Sequence, residues 1–315
     1  MEEQKVQGAN KKCLRKIKQG QKNGNIPHRN FFEGVEEMFQ KLNVESLRSP
    51  ILIISPHPDD DILGSAGLIQ RARGLGKQIY VLYLTNGDAN RASVTRFLKA
   101  PLTPQSFIRL GRIRHIEAIK AEASLGIPQS HLFFVSFPDG GTLQIAQSPT
   151  PGKVFRSKST LLSLASYPFA FVRNAPYSKM VVVQLIRTIL NRVRPRTIIM
   201  NLANDTNPDH KAARLLTLDA IRGTCLKPFI LSYLIHFPHF PKRGEFVPPQ
   251  QLLSPRIRQL ILNVSELRRK KRAFQLEPSQ FDVSPRDRSL LRGSEFFWVG
   301  STKVAKKNFS TSRKI

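Results

Sequence analysis

Short apolar runs alternate with longer amphipathic segments through the middle of this sequence. Runs of mostly apolar residues indicate strands, and apolar residues that recur every three or four positions indicate helices. Strands that alternate with helices of ten or more residues are typical of βαβ units, so we expect an α/β fold with a mostly parallel sheet and helices on both faces. The predicted strands lie at 51–54, 78–84, 132–137, 197–200 and 229–235, and the predicted helices at 64–74, 107–125, 180–193 and 208–221.

One long segment, 142–179, interrupts this alternation. It is rich in Ser and Pro and contains the apolar run 161–172. A loop of this length inside a compact domain is usually functional or mobile. Two interpretations are open: a lid that docks an acyl or lipid part of a substrate, or a cover for the edge of the sheet, which we favour.

The unusual polar residues cluster where the predicted strands end. They fall at 56–61, 85–89, 137–141 and 202–210, each directly after a strand. In open α/β sheets, ligands bind beyond the carboxyl ends of the strands. The strand ends are therefore the predicted position of a functional site.

An imidazole and three carboxylates occur within five residues after the first predicted strand, as His57-Pro58-Asp59-Asp60-Asp61. These carboxylates repel one another unless a cation or hydrogen bonds compensate them. His57 and Asp60 lie three residues apart across a turn, and His210 in the 207–210 segment offers a second imidazole. Imidazole and carboxylate both bind Zn²⁺, and a catalytic zinc site needs three protein ligands. The competing interpretation, that the acids only cap the following helix, would suit one Asp better than this set.

Five motifs occur in order along the chain: Pro-His-Pro-Asp-Asp-Asp at 56–61, Thr-Asn-Gly-Asp-Ala at 85–89, Arg114, Glu117, Ala121 and Leu-Gly at 125–126, Phe-Pro-Asp-Gly-Gly at 137–141, and Asn-Pro-Asp-His at 207–210. This ordered set resembles the motifs of the PIG-L/LmbE-like family of zinc-dependent N-acetylglucosaminide deacetylases. The first motif is similar to the family's (A/P)-H-P-D-D-E signature. A later pattern seen in many members is matched by Glu266, Lys270, Ala273, Ser279 and Gln280. The resemblance runs from about residue 51 to residue 298.

The resemblance implies a Rossmann-like domain at 45–300 that hydrolyses the acetamide of an N-acetylglucosamine glycoside or glycoconjugate. It implies that Zn²⁺, or another divalent metal, is held by His57, Asp60 and His210, and that Asp59 is the general base. Asn207 and Asp209 fall in the catalytic block. At the sugar, the implied contacts are Arg114, Asp139 and, in the second strand-end motif, Asp88.

Two positions depart from the family's pattern. Asp61 stands where the family usually has Glu, which is a mild change if that residue only braces the loop. Asn207 stands where the family often has a His that acts as acid or electrophile. An Asn amide can donate a hydrogen bond to an oxyanion but cannot deliver a proton, and the loss of one oxyanion donor costs about 10²–10³ in rate elsewhere. Either Asn207 acts as a neutral donor, or another residue is the acid, or the protein is impaired.

The charge of the chain is strongly positive, with 50 Lys and Arg against 22 Asp and Glu and a net charge of +28. Both ends are basic: residues 1–44 are predicted to be a flexible N-terminal arm, and residues 301–315 a C-terminal tail. Such arms can bind nucleic acid, anionic lipid or another acidic polymer. The excess charge is also compatible with an anionic or lipid-linked sugar as substrate.

Other features limit the class of protein. Cys13 and Cys225 lie far apart, which excludes a disulfide framework and a Cys-based zinc finger. No apolar run reaches the roughly 18 residues of a membrane span, and residues 1–25 have no apolar signal core. We therefore expect a cytoplasmic protein, able to lie at a membrane surface. Two functions compete with the deacetylase: an impaired member that binds an acetylated sugar or polymer, and a nucleic-acid-binding protein that uses its arms.

Overall fold

The computed structural model describes residues 39–241 and 246–300, which form an eight-stranded sheet with helices on both faces. The strands are β1 Gln40–Lys41, β2 Ile51–Ser55, β3 Ile79–Thr85, β4 Leu132–Phe137, β5 Thr197–Asn201, β6 Phe229–Tyr233, β7 Ile257–Ile261 and β8 Ser294–Gly300. The helices are α1 Asp60–Gly74, α2 Pro104–Ser124, α3 Thr142–Ala146, α4 Lys179–Val193, α5 Pro208–Arg222, α6 Val264–Gln275, α7 Pro278–Phe281 and α8 Pro285–Arg288. Within the described ranges, no helix is long and apolar enough to cross a membrane.

The strand order is β1-β7-β8-β6-β5-β2-β3-β4, and every neighbouring pair is parallel except the two that β8 makes. This confirms the predicted α/β fold with a mostly parallel sheet. All nine predicted helices and strands are present, with bounds shifted by a few residues.

The residues of β2 alternate between two hydrophobic layers. Ile51 and Ile53 face the layer that contains α1, α2 and α6, whereas Leu52 and Ile54 face the layer that contains α4 and α5. All four side chains are buried. A strand buried on both faces appears as a continuous apolar run, which is why β2 was visible in the sequence.

The order of the strands creates a crevice between β2 and β5. From β2 the chain builds outward through β3 to β4 on one side, and it later adds β5 and β6 on the other. Ligands of open α/β sheets bind at such a switch point, outside the carboxyl ends of the strands. The loop that follows β2 carries His57, and the first turn of α5, which follows β5, carries His210.

The last part of the domain was not predicted from the sequence. The apolar pattern does not reveal β7, α6 and β8, because some of their buried positions are polar. In α6, for example, Glu266 and Lys270 are buried as well as Ala273 and Phe274. A helix with this pattern has no continuous apolar stripe to detect.

The predicted basic arms lie almost wholly outside the described residues, and only 39–44 of them can be placed. There β1 pairs with β7, and Leu42 and Val44 are buried. These six residues therefore pack with the sheet, in front of the predicted start of the domain at residue 45.

The segment 142–179 begins with α3 and continues as irregular chain that covers β4, the edge strand. Phe171 N donates to Phe134 O at 2.7 Å, so the segment takes up part of the free edge. Ala165, Tyr167 and Tyr177 of this segment are buried. The favoured interpretation, a cover for the edge of the sheet, is confirmed.

A buried ion pair fastens α1 to α6 and β8. The helix departs from helical geometry at Ser65, and just beyond this kink Gly67 N and Leu68 N both donate to the Glu295 carboxylate. Lys270 Nζ donates to Glu295 Oε1 at 2.8 Å and to Leu63 O at 2.8 Å. Lys270 and Glu295 thereby connect α6 and β8 to α1.

Replacement of Lys270 by Met should destabilise the protein strongly. The substitution leaves the buried Glu295 carboxylate without its cation, and such a loss costs about 3–5 kcal/mol. Urea unfolding followed by circular dichroism measures the free energy. The matched control is Lys271→Met on the exposed side of α6, which should change stability little; equal stability of the two variants would contradict the prediction.

Candidate active site

The loop between β2 and α1 turns tightly on one carboxylate. Asp60 Oδ2 accepts a hydrogen bond from His57 N at 3.0 Å and lies 3.0 Å from His57 Nδ1. The backbone and ring of the same His are thus fixed by the first residue of α1. This turn directs both side chains toward the crevice between β2 and β5.

Three candidate ligand atoms converge at this point. His57 Nδ1 lies 3.0 Å from Asp60 Oδ2 and 3.3 Å from His210 Nε2, and His210 Nε2 lies 3.1 Å from Asp60 Oδ2. Ligands at about 2.0–2.2 Å from a tetrahedral zinc ion are about 3.3–3.6 Å apart. The three atoms lie close to that spacing, so His57, Asp60 and His210 fit a zinc site.

Each imidazole is also oriented by a carboxylate at its other nitrogen. His210 Nδ1 lies 3.0 Å from Asp205 Oδ2. His57 Nε2 lies 3.3 Å from Asp139 Oδ1 and 3.4 Å from Asp209 Oδ2. Metal-binding His residues commonly donate their second ring N–H to such a partner, which fixes the tautomer.

His57 Nε2 belongs to a second His/Asp group that could hold a cation, with Asp139 and Asp209. The carboxylates of this group already accept backbone hydrogen bonds: Ala89 N donates to Asp139 at 2.7 Å, and Gly140 N donates to Asp209 at 2.8 Å. We therefore favour the first group as the metal site and this one as its support.

The acids control the charge of both rings in the metal-free protein. Burial lowers the pKa of His210, but Asp60 and Asp205 outweigh it and raise the pKa to about 9. Burial also opposes the charge on His57, yet Asp139, Asp209 and Asp60 raise its pKa well above the ordinary value. Conversely, the two imidazoles lower the pKa of Asp60 although burial raises it. The site is built to hold positive charge.

Asp59 does not cap α1, although it occupies the N-cap position. Its side chain makes no capping hydrogen bond, and its φ of 119° is strained for a residue other than glycine. Its Oδ2 instead lies 3.2 Å from Arg114 Nη2, and both residues line the cavity. Burial raises the pKa of the Asp59 carboxyl well above its ordinary value, with Arg114 only partly offsetting this.

Arg114 is enclosed by the loops that follow β2 and β3. Its guanidinium donates to Gly87 O at 2.8 Å and to Pro58 O, in addition to pairing with Asp59. A side chain at position 87 would overlap the guanidinium, because an added Cβ would lie 2.1 Å from Arg114 Nη1, and Gly87 also has a positive φ of 60°. Gly87 therefore allows Arg114 to reach Asp59.

Two of the motif acids lie behind the cavity wall. Asp61 accepts from Tyr83 OH at 2.6 Å and from Ser55 Oγ at 3.2 Å, so it braces the loop between β2 and α1. Asp88 is buried and accepts from Tyr167 OH at 2.6 Å. Burial, followed by repulsion from Asp139, raises the pKa of Asp88 to about 7. Neither Asp61 nor Asp88 lines the cavity.

The departure at Asn207 has a clear local role. Asn207 caps α5, because its Oδ1 accepts from Asp209 N at 2.8 Å. That bond directs Oδ1 to the backbone and leaves Nδ2 as the donor that the side chain can offer to the cavity it lines. Asp209 is held in turn by Gly140 N and Thr142 N.

One cavity of about 360 Å³ joins these residues, within the range of about 300–1,000 Å³ for small-molecule sites. A larger hollow of about 540 Å³ lies along α4, but its lining is mostly apolar and lacks convergent acids and imidazoles. The smaller cavity is therefore the candidate site. It is lined by His57, Asp59, Asp60, Leu63, Ala89, Asn90, Arg114, Asp139, Gly140, Asn207, Pro208, Asp209, Ile235, His236, Gln280 and Asp287.

Eight of the nine predicted site residues meet at this cavity or beside it: His210 is buried against its ligand partners, and the others line it. In the sequence, His236 could line a pocket mouth or could equally be a packing residue; the structure places it in the cavity wall. The strand-end rule, extended to the fifth predicted strand, supports the first interpretation because His236 follows β6. Sequence reasoning noted Asp205 only as an acid that flanks Asn207, and it missed Asp287. Asp287 lies on α8, which carries no motif.

Replacement of Asp205 by Asn should weaken metal binding. The amide removes the charge that orients His210, and loss of such a partner typically costs about 10–100-fold in metal affinity. Competition with a chromophoric zinc chelator measures the affinity. Asp282→Asn, at an exposed acid outside the cavity, is the control; equal affinities of the two variants would refute this role.

Metal binding should release protons and weaken as the pH falls. The raised pKa values mean that both His57 and His210 carry an extra proton in the metal-free protein at pH 7. A metal ion must displace one proton from each ring, so about two protons should leave per ion. Calorimetry of zinc binding in buffers of different ionisation enthalpy counts them. Binding without proton release would show that the rings are neutral beforehand.

Solved structures with similar folds include three deacetylases of low sequence identity. A teicoplanin-bound deacetylase of the teicoplanin biosynthesis pathway has a TM-score of 0.51 and 19% identity, over 79% of this chain and 97% of its own. Dbv21, an A40926 pseudoaglycone deacetylase, has a TM-score of 0.51 and 18% identity, over 81% and 98%. N,N'-diacetylchitobiose deacetylase from Pyrococcus horikoshii has a TM-score of 0.50 and 18% identity, over 89% and 95%. At this identity the likeness establishes the fold alone.

A family model extends the comparison to sequence. No curated protein matches the chain closely enough to count as a relative. The model described as "PIG-L: GlcNAc-PI de-N-acetylase" matches residues 52–221, which is more than half of the chain. The match runs from β2 to the end of α5 and includes His57, Asp60 and His210. The resemblance found in the motifs is thereby confirmed, and the chain belongs to the PIG-L family of deacetylases.

Proposed function

We propose that this protein is a zinc-dependent hydrolase that removes the N-acetyl group from an N-acetylglucosamine-containing glycoside or glycoconjugate and releases acetate. The observation that carries the proposal is the convergence of His57, Asp60 and His210 within 3.3 Å of one another. Asp59 lines the same cavity. Membership of a deacetylase family supports the reaction class.

The proposed metal ligands are His57, Asp60 and His210, and zinc suits their mixture of imidazole and carboxylate better than it suits an all-oxygen site. When bound, zinc supplies Lewis-acid chemistry: it acidifies a water and polarises a carbonyl. The protein itself supplies the orientation of the ligands through Asp205, Asp139 and Asp209.

Asp59 is the proposed general base, which takes a proton from the attacking water. Burial raises the pKa of this carboxyl, and a base is most effective when its pKa approaches the working pH. Arg114 fixes the position of the carboxylate from one side, and the strained backbone at Asp59 directs it into the cavity. Asp59 can then return the proton to the leaving amine.

Asn207 and Asp209 have different proposed tasks at the opposite wall. The Asn207 amide, with its oxygen committed to capping α5, is a neutral donor toward the acetyl oxygen. Asp209 accepts from the loop at Gly140 and faces His57 Nε2, so its proposed effect is to position that ring.

The sugar is proposed to lie against Asp139, whose carboxylate borders the cavity. Arg114 also borders it, but its guanidinium is engaged by Asp59 and two carbonyl groups, so its effect on the sugar is exerted through the position of Asp59. Asp88 lies behind the cavity wall, where it accepts a hydrogen bond from Tyr167, so its proposed effect is to support the wall and not to contact the sugar.

The charge of the cavity bears on the kind of substrate. Its lining contains five aspartates and one arginine: Asp59, Asp60, Asp139, Asp209, Asp287 and Arg114. An acidic pocket suits a neutral acetylated sugar and a positively charged amine product. We therefore place any phosphate or other anionic part of the substrate outside the cavity, toward the basic surface of the protein.

Replacement of Asp59 by Asn should abolish most of the activity and leave the metal in place. The amide has nearly the same shape but cannot accept the proton of water, and general-base catalysis is worth about 10²–10⁴ in rate. The measurement is release of free amine by the zinc-loaded protein from N-acetylglucosaminides. The panel should span simple, nucleotide-linked and phospholipid-linked glycosides.

The matched control is Asp282→Asn, which makes the same chemical change at an exposed site and should retain full activity. Zinc content measured by mass spectrometry separates loss of the base from loss of the metal. A wild-type protein that holds zinc but hydrolyses no member of the panel would contradict the proposed reaction and favour an impaired, sugar-binding member of the family.

A further inference from the structure

We propose that His236 is a further catalytic residue, whose ring N–H donates a hydrogen bond to the acetamide oxygen as the oxyanion forms. This inference rests on the proposed deacetylase function and adds to it a residue outside the five motifs. His236 supplies the imidazole donor that position 207 lacks in this chain.

His236 lies at the wall of the cavity next to the proposed metal site. It follows β6, which pairs with β5 in parallel, so the loops after these two strands open at the same edge of the sheet. Its ring packs edge-on against His210, with the ring centroids 4.7 Å apart. Ile235 and His236 line the cavity together with Asn207.

The backbone of His236 is held by the residue that orients His210. Asp205 Oδ2 accepts from His236 N at 3.0 Å and from Ile235 N at 3.1 Å, while it also faces His210 Nδ1. From the other side, Thr206 N donates to His236 O at 2.8 Å. One carboxylate thus sets the position of a proposed ligand and of His236, and a site held in this way is organised before the substrate arrives.

The ring itself remains free for a ligand. Among residues 39–241 and 246–300, none makes a hydrogen bond to either ring nitrogen of His236. An imidazole carries at least one N–H in either charge state, so this ring can donate a hydrogen bond into the cavity that it lines.

Asn207 explains why a second donor is useful. Its Oδ1 is fixed by the cap of α5, so the side chain offers a single amide donor of restricted direction. Oxyanion stabilisation by acyl-transfer enzymes commonly uses more than one donor, and each is worth about 10²–10³ in rate. His236 and Asn207 lie on the same wall of the cavity and can act together.

The primary test compares His236→Ala, His236→Asn and His239→Ala, the last being an exposed His outside the cavity. We expect His236→Ala to lower kcat by about 10²–10³ with little change in KM, because a donor to the oxyanion acts mainly in the transition state. The conservative His236→Asn should recover part of kcat. Zinc content should be unchanged in all three variants.

A rescue experiment distinguishes catalysis from packing. In the His236→Ala background, Asn207→His restores an imidazole to the same wall and should recover at least about tenfold in kcat. The same substitution in the wild-type background is the reference, and its effect on kcat should be less favourable there than in the His236→Ala background, because His236 already supplies a donor on this wall. A kcat for His236→Ala that equals that of His239→Ala, or that falls only together with the zinc content, would overturn the proposal.

A binding measurement keeps the two proposals separate. The probe is a methylphosphonamidate of methyl glucosaminide, a tetrahedral mimic of the hydrolysed acetamide, titrated by calorimetry into the zinc-loaded protein. His236→Ala should bind it at least about tenfold more weakly than wild type. If wild type binds the mimic but hydrolyses no substrate, the proposed function fails, and the ratio of the two affinities still tests the donor role of His236. Equal affinities of wild type and His236→Ala would overturn the donor role. If wild type does not bind the mimic, both the proposed function and the donor role are overturned.

Discussion

The pairing of β2 with β5 is the constraint on which the candidate site depends. Ile51 lies opposite Thr197, and Ile53 lies opposite Ile199, in a parallel register. This register brings together two segments that are about 150 residues apart in sequence: the loop with His57 and the start of α5 with His210. Asp60 then joins the two imidazoles through a single oxygen. A shift of either strand by one residue would reverse its faces and separate the rings.

A second constraint is the amount of negative charge that the fold buries around this point. Asp59, Asp60 and Asp61 follow one another, and further acids approach from the loops after β4 and β5. The structure assigns these acids distinct partners: Asp60 faces the imidazoles, Asp59 faces Arg114, and Asp61 faces Tyr83. Three adjacent residues of one type thereby perform three separate tasks. That division explains why a cluster of acids is tolerated beside a core strand.

Site residues could be predicted from the sequence where the residue type is unusual for its position, such as a charged residue directly after an apolar strand. They could not be predicted where a common loop residue gains its role only from contacts made in the folded protein. Strands β2 to β6 are buried on both sides and therefore appear as apolar runs, and His57 and Asp60 stand out directly after one of them. Asp205 and His236 are ordinary loop residues in the sequence. Their importance arises because Asp205 faces both His210 and the backbone of His236. Contacts between loops of this kind require the register of the sheet, which single-sequence patterns do not contain.

The central position of β8 has a consequence for how the protein assembles during synthesis. This strand, at 294–300, pairs antiparallel with both β6 and β7 and so fills a place inside the sheet rather than at its edge. A nascent chain that has emerged only as far as β7 still lacks the strand between β7 and β6, and the amides beyond the kink in α1 lack Glu295. Domains generally fold as units as they leave the ribosome. The helix that begins at Asp60 is therefore secured only when residues near the end of the described chain have been made, which couples formation of the candidate site to completion of the domain.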